Sequence, residues 1–544
     1  MAPDEASIAP TLVITGVASG AALHQIVKRI ELDRHPLSFL GAFIGSILGL
    51  ALILQNFSAQ YENYGSAFKA AWFTILRTVV SLWVNILVHR AFFHPLNNFP
   101  GPFGAKLSKF WALGEVVKSK VKWYQVTGRL QEQYGDYVRT GPRELMIYNA
   151  EAIKPLLGPS SKARKGPFYN GLQQSIHTTR DHDFHKKRRK IWDMAFKQSL
   201  SDYGSIIEEF TDTLLAGFEA SKGNPIAIND LCIYYSWDVM SSVGFNSSTE
   251  FLTGKSVEFA TKILNGVQDG FSAIEALLHV PWMLTVIESI SFAGPMLEFN
   301  TWAADQVEAR RNMKTPRPDI MGHLLAETED TAAGNKLLNA DSRVIIGAGR
   351  QALLIINLLA VTDQSVHDSY QKKLREEIDI SFQEKTYNCA KPEPLLDGII
   401  SEALRLFPPV TFGSQRVIPE PGMTIGDVDI PPDTVVSLAM YQIQRDLRNY
   451  VQPEAFIPER WTTQPSLILD KDAFMPFSIG PYNCAGRSLA MMELRSVVAR
   501  TVYRYDISLV EGDKFDENVF FAGVKDHFTL GIPKIDLVFI ERGS

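Results

Sequence analysis

Three apolar runs, Thr11 to Val27, Leu37 to Leu54 and Ala70 to Val88, occupy 17, 18 and 19 positions of the first hundred residues. A helix needs about 20 apolar residues to cross the hydrocarbon of a bilayer, so the second and third runs predict membrane spans and the first is marginal. The second run contains no charge and carries Gly41, Gly45 and Gly49 at four-residue spacing, a pattern that lets helices approach closely in lipid. The third contains Arg77, which must snorkel or face a neighbouring helix.

Lys28, Arg29 and Arg34 fill the loop between the first two runs, Lys69 is the only cation in the next loop, and His89 and Arg90 follow the third run. The positive-inside rule then predicts a cytosolic first loop and a cytosolic body after Arg90. Asn56-Phe57-Ser58 is a glycosylation sequon in the loop left on the lumenal side. No basic stretch precedes the first run, so a cleaved signal peptide fits poorly, and an endoplasmic reticulum anchor is expected over residues 1–94. From His94 to Pro102, three prolines interrupt any helix and read as a stiff linker over 95–102.

Residues 103–544 read as one mainly α domain with small β-sheets. Helical patterning dominates, as in Tyr203 to Phe218 and Ser342 to Ala360, while the Gly/Pro-punctuated stretch Val417 to Val436 predicts strands and turns. Lys and Arg number 54 against 60 Asp and Glu, a net charge of −6, which gives no global reason to expect nucleic-acid binding. The three cysteines, Cys232, Cys389 and Cys484, can build neither a disulfide framework nor a CxxC metal site. If a thiol matters here, it works alone.

Cys484 stands in Phe477-Ser478-Ile479-Gly480-Pro481-Tyr482-Asn483-Cys484-Ala485-Gly486-Arg487, just before the helical run Ser488 to Tyr503. A lone cysteine is usually a small buried hydrophobe. Here the helix N-terminus is expected to lower the thiol's pKa, and Gly480 and Gly486 to let backbone pass close to a flat ligand. This FxxGxxxCxG pattern resembles the heme-ligand loop of the cytochrome P-450 family. The resemblance implies a heme-thiolate fold, heme b as cofactor, Cys484 as axial iron ligand, and electrons from NADPH through a separate reductase.

Other motifs follow the family's order. Glu402 and Arg405, at i, i+3, resemble the ExxR helix, and Arg405 lies 79 residues before Cys484. Glu308 and Arg311 repeat the spacing at a position without meaning in the family. Pro458-Glu459-Arg460-Trp461 is similar to the segment whose arginine joins Glu402, which implies a buried structural triad of Glu402, Arg405 and Arg460. His185-Lys186-Lys187-Arg188-Arg189-Lys190 is either a solvated basic run or resembles the helix that reaches the heme propionates. The resemblance implies propionate contacts for His185, Arg189 and Arg416, with Tyr482 where many members carry Arg or His. It also implies docking of an acidic reductase on Lys186, Lys187, Arg188 and Lys190. The pattern is closest to membrane-bound fungal enzymes that tailor secondary metabolites. An apolar small molecule is the expected substrate, to be hydroxylated, epoxidised or desaturated. An anchored scaffold or transporter is the alternative of a different class, which heme absorbance would distinguish.

The pattern breaks on the long distal helix. Where the family has AGxDTT, this chain reads Ala348-Gly349-Arg350-Gln351-Ala352-Leu353. Gln351 cannot titrate and Ala352 has no hydroxyl. Gly349 alone keeps its expected role of letting the helix open where oxygen sits. Removing a positioned proton donor typically costs about 100- to 10,000-fold in rate. Three readings follow: a monooxygenase in which substrate or water replaces the relay, a heme-thiolate enzyme whose peroxide-dependent oxidation or rearrangement needs none, and a weakly active or non-catalytic heme-binding homologue.

Overall fold

A computed structural model describes residues 5–28, 36–58, 60–61, 63–289, 295–347, 364–411, 415–511, 516–527 and 529–543. The apolar runs form helices α1 (Glu5–Val27), α2 (Pro36–Phe57) and α3 (Tyr64–Val88). Among the described residues, two stretches, Leu37–Phe57 and Tyr64–Phe93, are long and apolar enough to cross a bilayer, and Thr11–Val27 is shorter. Asn63 caps α3 by accepting the amide of Ser66.

The close helix approach lies elsewhere than the glycine stripe of α2 predicted. A Cβ on Gly41, Gly45 or Gly49 would meet nothing within 4 Å, whereas one on Gly20 would stand 2.4 Å from the Thr78 carbonyl. Helix α1 rests on the small residues Thr74, Thr78 and Ser81 of α3, and the Ser81 hydroxyl donates to the Val17 carbonyl at 2.8 Å. Arg77 also meets α1 here, its Cβ 3.1 Å from where a Gly16 side chain would begin. Helix α2 turns a different face inward, with Phe43 against Trp72 and Ile47 and Ala51 buried. Asn56 lies in the last turn of α2 rather than in the following loop, its amide bonded back to Leu52, because the helix runs on to Phe57.

At His94 the helical path breaks; Pro95–Asn98 form a short 3-10 helix, and residues 95–102 are fastened onto the body. Leu96 is fully buried, and the buried guanidinium of Arg139 bonds the Asn97 side chain at 2.6 Å and the Arg90 carbonyl at 3.3 Å. Gly101 lies so close to the Arg139 carbonyl that a Cβ would approach it to 2.3 Å.

The body is built from α4 (Phe103–Leu107), α5 (Phe110–Lys118), α6 (Trp123–Tyr134), α7 (Ile153–Leu157), α8 (His182–Ala220), α9 (Ile228–Phe245), α10 (Val257–Leu277), α11 (Pro281–Ser289), α12 (Pro295–Arg311), α13 (Ile320–Ala326) and α14 (Ala332–Gly347). After residues 348–363 come α15 (Gln364–Gln383), α16 (Pro394–Leu406), α17 (Met440–Ile443), α18 (Arg487–Arg504) and α19 (Glu517–Gly523). Helix α9 is buried on nearly every side, as a central core helix must be, and α8, α13, α14 and α18 pack around it or on its neighbours.

Beside this helical core lies a sheet in the order β1 (Tyr137–Gly141), β2 (Glu144–Ile147), β8 (Val435–Leu438), β5 (Arg416–Val417), β3 (Arg164–Lys165). Strands β2 and β8 run parallel and the other pairs antiparallel. The Val417 to Val436 stretch contains the hairpin of β6 (Met423–Ile425) and β7 (Val428–Ile430), as its turn residues predict. Strand β12 (Asp536–Glu541) joins β4 (Ile226–Ala227) to β9 (Tyr505–Leu509), and β10 (Lys525–His527) pairs with β11 (Thr529–Gly531). The register of β3 on β5 sets Lys165 opposite Arg416, which brings two cations far apart in the sequence to one place.

Candidate active site: the cysteine loop and its cationic wall

The loop from Phe477 to Gly486 is shaped before α18 begins. The Cys484 amide donates to the Phe477 carbonyl at 2.8 Å, closing a tight ring around a short helical turn at Gly480–Tyr482. Gly480 has φ +70°, and a Cβ there would stand 2.1 Å from the Leu157 carbonyl, so protein backbone by itself demands this glycine. Gly486 has an ordinary negative φ and a neighbour only at 3.4 Å, the Phe196 ring.

Cys232 and Cys389 are buried, and burial pushes both thiols up to about 12. Cys484 lies deep among protein atoms yet keeps accessible surface. Its thiol is also held above its ordinary value. Desolvation outweighs the downward pull of the Gly486 amide, Arg189 and Arg487, so the expected lowering by the helix end is not found. A thiol so placed becomes a thiolate by coordinating a cation.

The wall beside this loop is cationic. Lys165 is 4% exposed and Arg416 2%, and among the described residues neither has a carboxylate beside it. Their charges sit over the Tyr482 ring at 4.7 and 5.0 Å, which offsets part of the desolvation cost through its π-face. The Lys165 ammonium also donates to the His177 carbonyl at 2.5 Å. Burial, aided by Arg416, lowers Lys165 to about 7. Among the described residues, Nε of Arg416 is buried with no hydrogen-bond partner. His185 is buried with its ring 4.5 Å from Tyr482, and burial followed by Lys165 lowers it to about 4. Buried cations with an unmet donor are costly alone. They fit a bound group that brings two carboxylates next to a cysteine thiolate, as an iron porphyrin does.

Helix α8 divides its basic run differently from the sequence expectation. Asp181 caps it through the amides of Asp183 and Phe184. His185, Arg188 and Trp192 form the buried face; Lys186, Lys187 and Lys190 are exposed. Arg188 is therefore not available to a docking partner: its Nε donates to Asp341 of α14 at 2.8 Å and its Nη1 to Thr328 at 2.6 Å. Arg189 pairs with Asp193 at 2.7 Å and donates to the Asn483 carbonyl at 2.8 Å, gripping the loop next to the cysteine.

Below the loop, Glu402, Arg405 and Arg460 are each fully buried. Arg405 holds Glu402 in a fork, at 2.9 and 2.8 Å, and Arg460, the Ile457 amide and the Trp461 indole each add a bond at 2.9 Å. The remaining guanidinium hydrogens bind backbone carbonyls of Gln444, Pro453, Val451 and Leu467. By contrast, Glu308 and Arg311 meet at 3.7 Å on the surface. A cavity of about 410 Å³ separates α16 from the cysteine loop, lined by Ser401, Leu404, Phe477, Arg487 and Met491 among others. Gly349, Gln351 and Ala352 lie outside the described residues.

Lys165 escaped the sequence reading, since a single lysine between loops carries no pattern. Only its pairing opposite Arg416 reveals it.

A mostly helical body, a cysteine loop ahead of a helix and a wall poised for two carboxylates define a heme-thiolate protein. Residues 102–537 match the family model Cytochrome P450. The chain is 32% identical over 536 residues to "Cytochrome P450 monooxygenase FCK2" of Fusarium pseudograminearum, covering 95% of each chain. It is 34% identical to "Cytochrome P450 monooxygenase orf5" of Eupenicillium brefeldianum over 85% of this chain and 95% of the relative. It is also 31% identical to "Tryprostatin B 6-hydroxylase" of Aspergillus fumigatus over 85% and 84%. The chain belongs to the cytochrome P450 family, and is a heme-thiolate monooxygenase with apolar N-terminal helices suited to membrane anchoring.

Proposed function

We propose that Cys484 is the axial ligand of heme b, and that the enzyme hydroxylates, epoxidises or desaturates an apolar intermediate of fungal secondary metabolism with NADPH electrons delivered by a reductase. The observation that carries this reading is the cationic pair Lys165 and Arg416, buried around Tyr482, two residues before Cys484, with no carboxylate beside them among the described residues. The tryprostatin B hydroxylase among the relatives supports the substrate class. The bound heme supplies reductive activation of dioxygen, with the thiolate's electron donation favouring O–O cleavage.

The chain's own residues then have distinct tasks. Lys165 and Arg416 hold two carboxylates, with neutral His185 beside them. Arg189 fixes the loop carbonyl preceding Cys484. Glu402, Arg405 and Arg460 stiffen the floor beneath it, away from the reacting atoms. Lys186, Lys187 and Lys190 offer an exposed basic face to an acidic reductase. The anchor residues 1–94 hold the body on the cytosolic side of the endoplasmic reticulum, which leaves Asn56 on the lumenal side. Since Gln351 is no acid and Ala352 no hydroxyl, a substrate hydroxyl or water donates the proton.

The test is turnover with reductase and NADPH by wild type and by Gln351→Asp with Ala352→Thr. The reading requires wild-type product formation, and a changed ratio of product to NADPH in the variant. A wild type that turns over only with peroxide and not with reductase and NADPH, or that isomerises substrate without reductant, contradicts it.

A further inference from the structure

Helix α10 carries Phe271 and Glu275 one turn apart, with His279 four residues further on, just past its end. Phe271 faces α14 from this helix: its Cζ lies 3.6 Å from where a Cβ on Gly347 would stand. Glu275 is fully buried, and among the described residues neither carboxyl oxygen has a hydrogen-bond partner. The buried Nε2 of His279 and the buried indole nitrogen of Trp123 are likewise unpartnered, with the two rings 4.5 Å apart. Four unmet polar atoms thus gather around the end of α10 and the start of α6, where a native interior keeps such atoms rare.

Asp526 is the other acid of the cluster, and its role is accounted for. Its carboxylate accepts the Tyr124 amide at 2.9 Å and the Thr411 hydroxyl at 2.9 Å, capping α6, which has no side-chain cap of its own. It does nothing to satisfy Glu275, and its charge raises that carboxyl's pKa further after burial has done so. Lys109, the cation that His279 senses, is paired with Glu144 at 3.4 Å.

The balance of groups selects the occupant. Once Glu275 is ionised, its two oxygens and His279 Nε2, in the tautomer protonated at Nδ1, can accept, against one obligate donor on Trp123, and the Asp526 carboxyl adds negative charge nearby. Burying an unpaired carboxyl here disfavours the empty cluster; a cation that donates hydrogen bonds reverses that balance. We propose that Glu275 is a polar anchor for the substrate and binds its protonated amine, with His279 Nε2 as a second acceptor for the ammonium hydrogens. On ammonium binding, Glu275 gives up its proton to solvent and becomes the counter-ion. This deepens the monooxygenase reading and rests on it.

The test uses full-length, heme-loaded wild type, Glu275→Gln and Glu275→Leu at neutral pH. Each is titrated with N-methylphenethylamine and with its neutral isostere phenethyl methyl ether, binding being read from the Soret band. Wild type should favour the amine by roughly tenfold, the effect of one well-formed buried charge pair at its weaker end, and both variants should reduce the preference to about twofold while leaving the ether's affinity in place. Equal affinities in wild type, or a preference that both variants keep, overturns the proposal and leaves the cluster a site for buried water only. A wild type without heme overturns the underlying monooxygenase reading instead, and the absorbance spectrum separates the two failures.

Discussion

Arg189 on α8 donates to the carbonyl of Asn483 at 2.8 Å, so one long helix holds the residue immediately before Cys484. Its own charge is met by Asp193 at 2.7 Å, leaving the guanidinium to position loop backbone. Removing a charge-assisted bond of this kind costs about 1.5–3 kcal/mol. Arg189→Ala should therefore speed heme loss to apomyoglobin by about tenfold or more, with Arg189→Lys intermediate. An unchanged rate in Arg189→Ala means the loop is held by other contacts.

The two loop glycines, alike in sequence, should behave differently. Gly480→Ala places a Cβ against the Leu157 carbonyl at φ +70°, strain of about 1–3 kcal/mol or more. Gly486→Ala meets only the Phe196 ring at 3.4 Å and has a backbone any residue adopts. Thermal unfolding should show a clear loss for the first and a change within about 1 kcal/mol for the second. Equal effects would refute this division.

Charge removal should likewise separate two ExxR spacings. Glu402→Ala strands Arg405 and Arg460 in the interior, a loss of about 3–5 kcal/mol, whereas Glu308→Ala breaks a surface contact worth about 0–1 kcal/mol. Soluble, heme-containing yield should collapse for the first variant only.

Much of this was legible in the sequence because local spacing carries it. The Glu402–Arg405 face, the Cys484 loop and the Val417 to Val436 hairpin region all stand where their patterns predict. Contacts between distant segments were not legible. Asp526 caps a helix some 400 residues earlier, Glu377 of α15 accepts the first amides of α16, and Lys165 meets Arg416 across a sheet. In the basic run of α8, periodicity gives a face but not which one. The spacing 185, 188, 192 turns Arg188 inward, where Asp341 neutralises it, and that partner lies 153 residues away. The glycines of α2 misled for the same reason, since close approach needs a small-residue partner and α3 offers one to α1.

Lys165 gives heme retention a pH dependence. Its pKa without an anion is about 7, below the ordinary 10.5 of an unfolded lysine. In that window the unfolded chain binds more protons than the fold, so this group makes the heme-free protein more stable as pH rises from about 7 to 10.5. A carboxylate beside Lys165 restores its charge, so heme binding takes up a proton and should weaken across the same range. The heme-loss rate should rise above pH 7 in wild type and much less in Lys165→Arg. A flat wild-type profile would exclude Lys165 from carboxylate binding.

The central claim is that Cys484 alone supplies the thiolate. The direct measurement is the absorbance of the reduced carbon monoxide complex of full-length protein and of Cys232→Ala, Cys389→Ala and Cys484→Ala. Wild type and the first two variants should show the long-wavelength Soret band of thiolate ligation, and Cys484→Ala should lack it. Persistence of that band in Cys484→Ala would contradict the assignment.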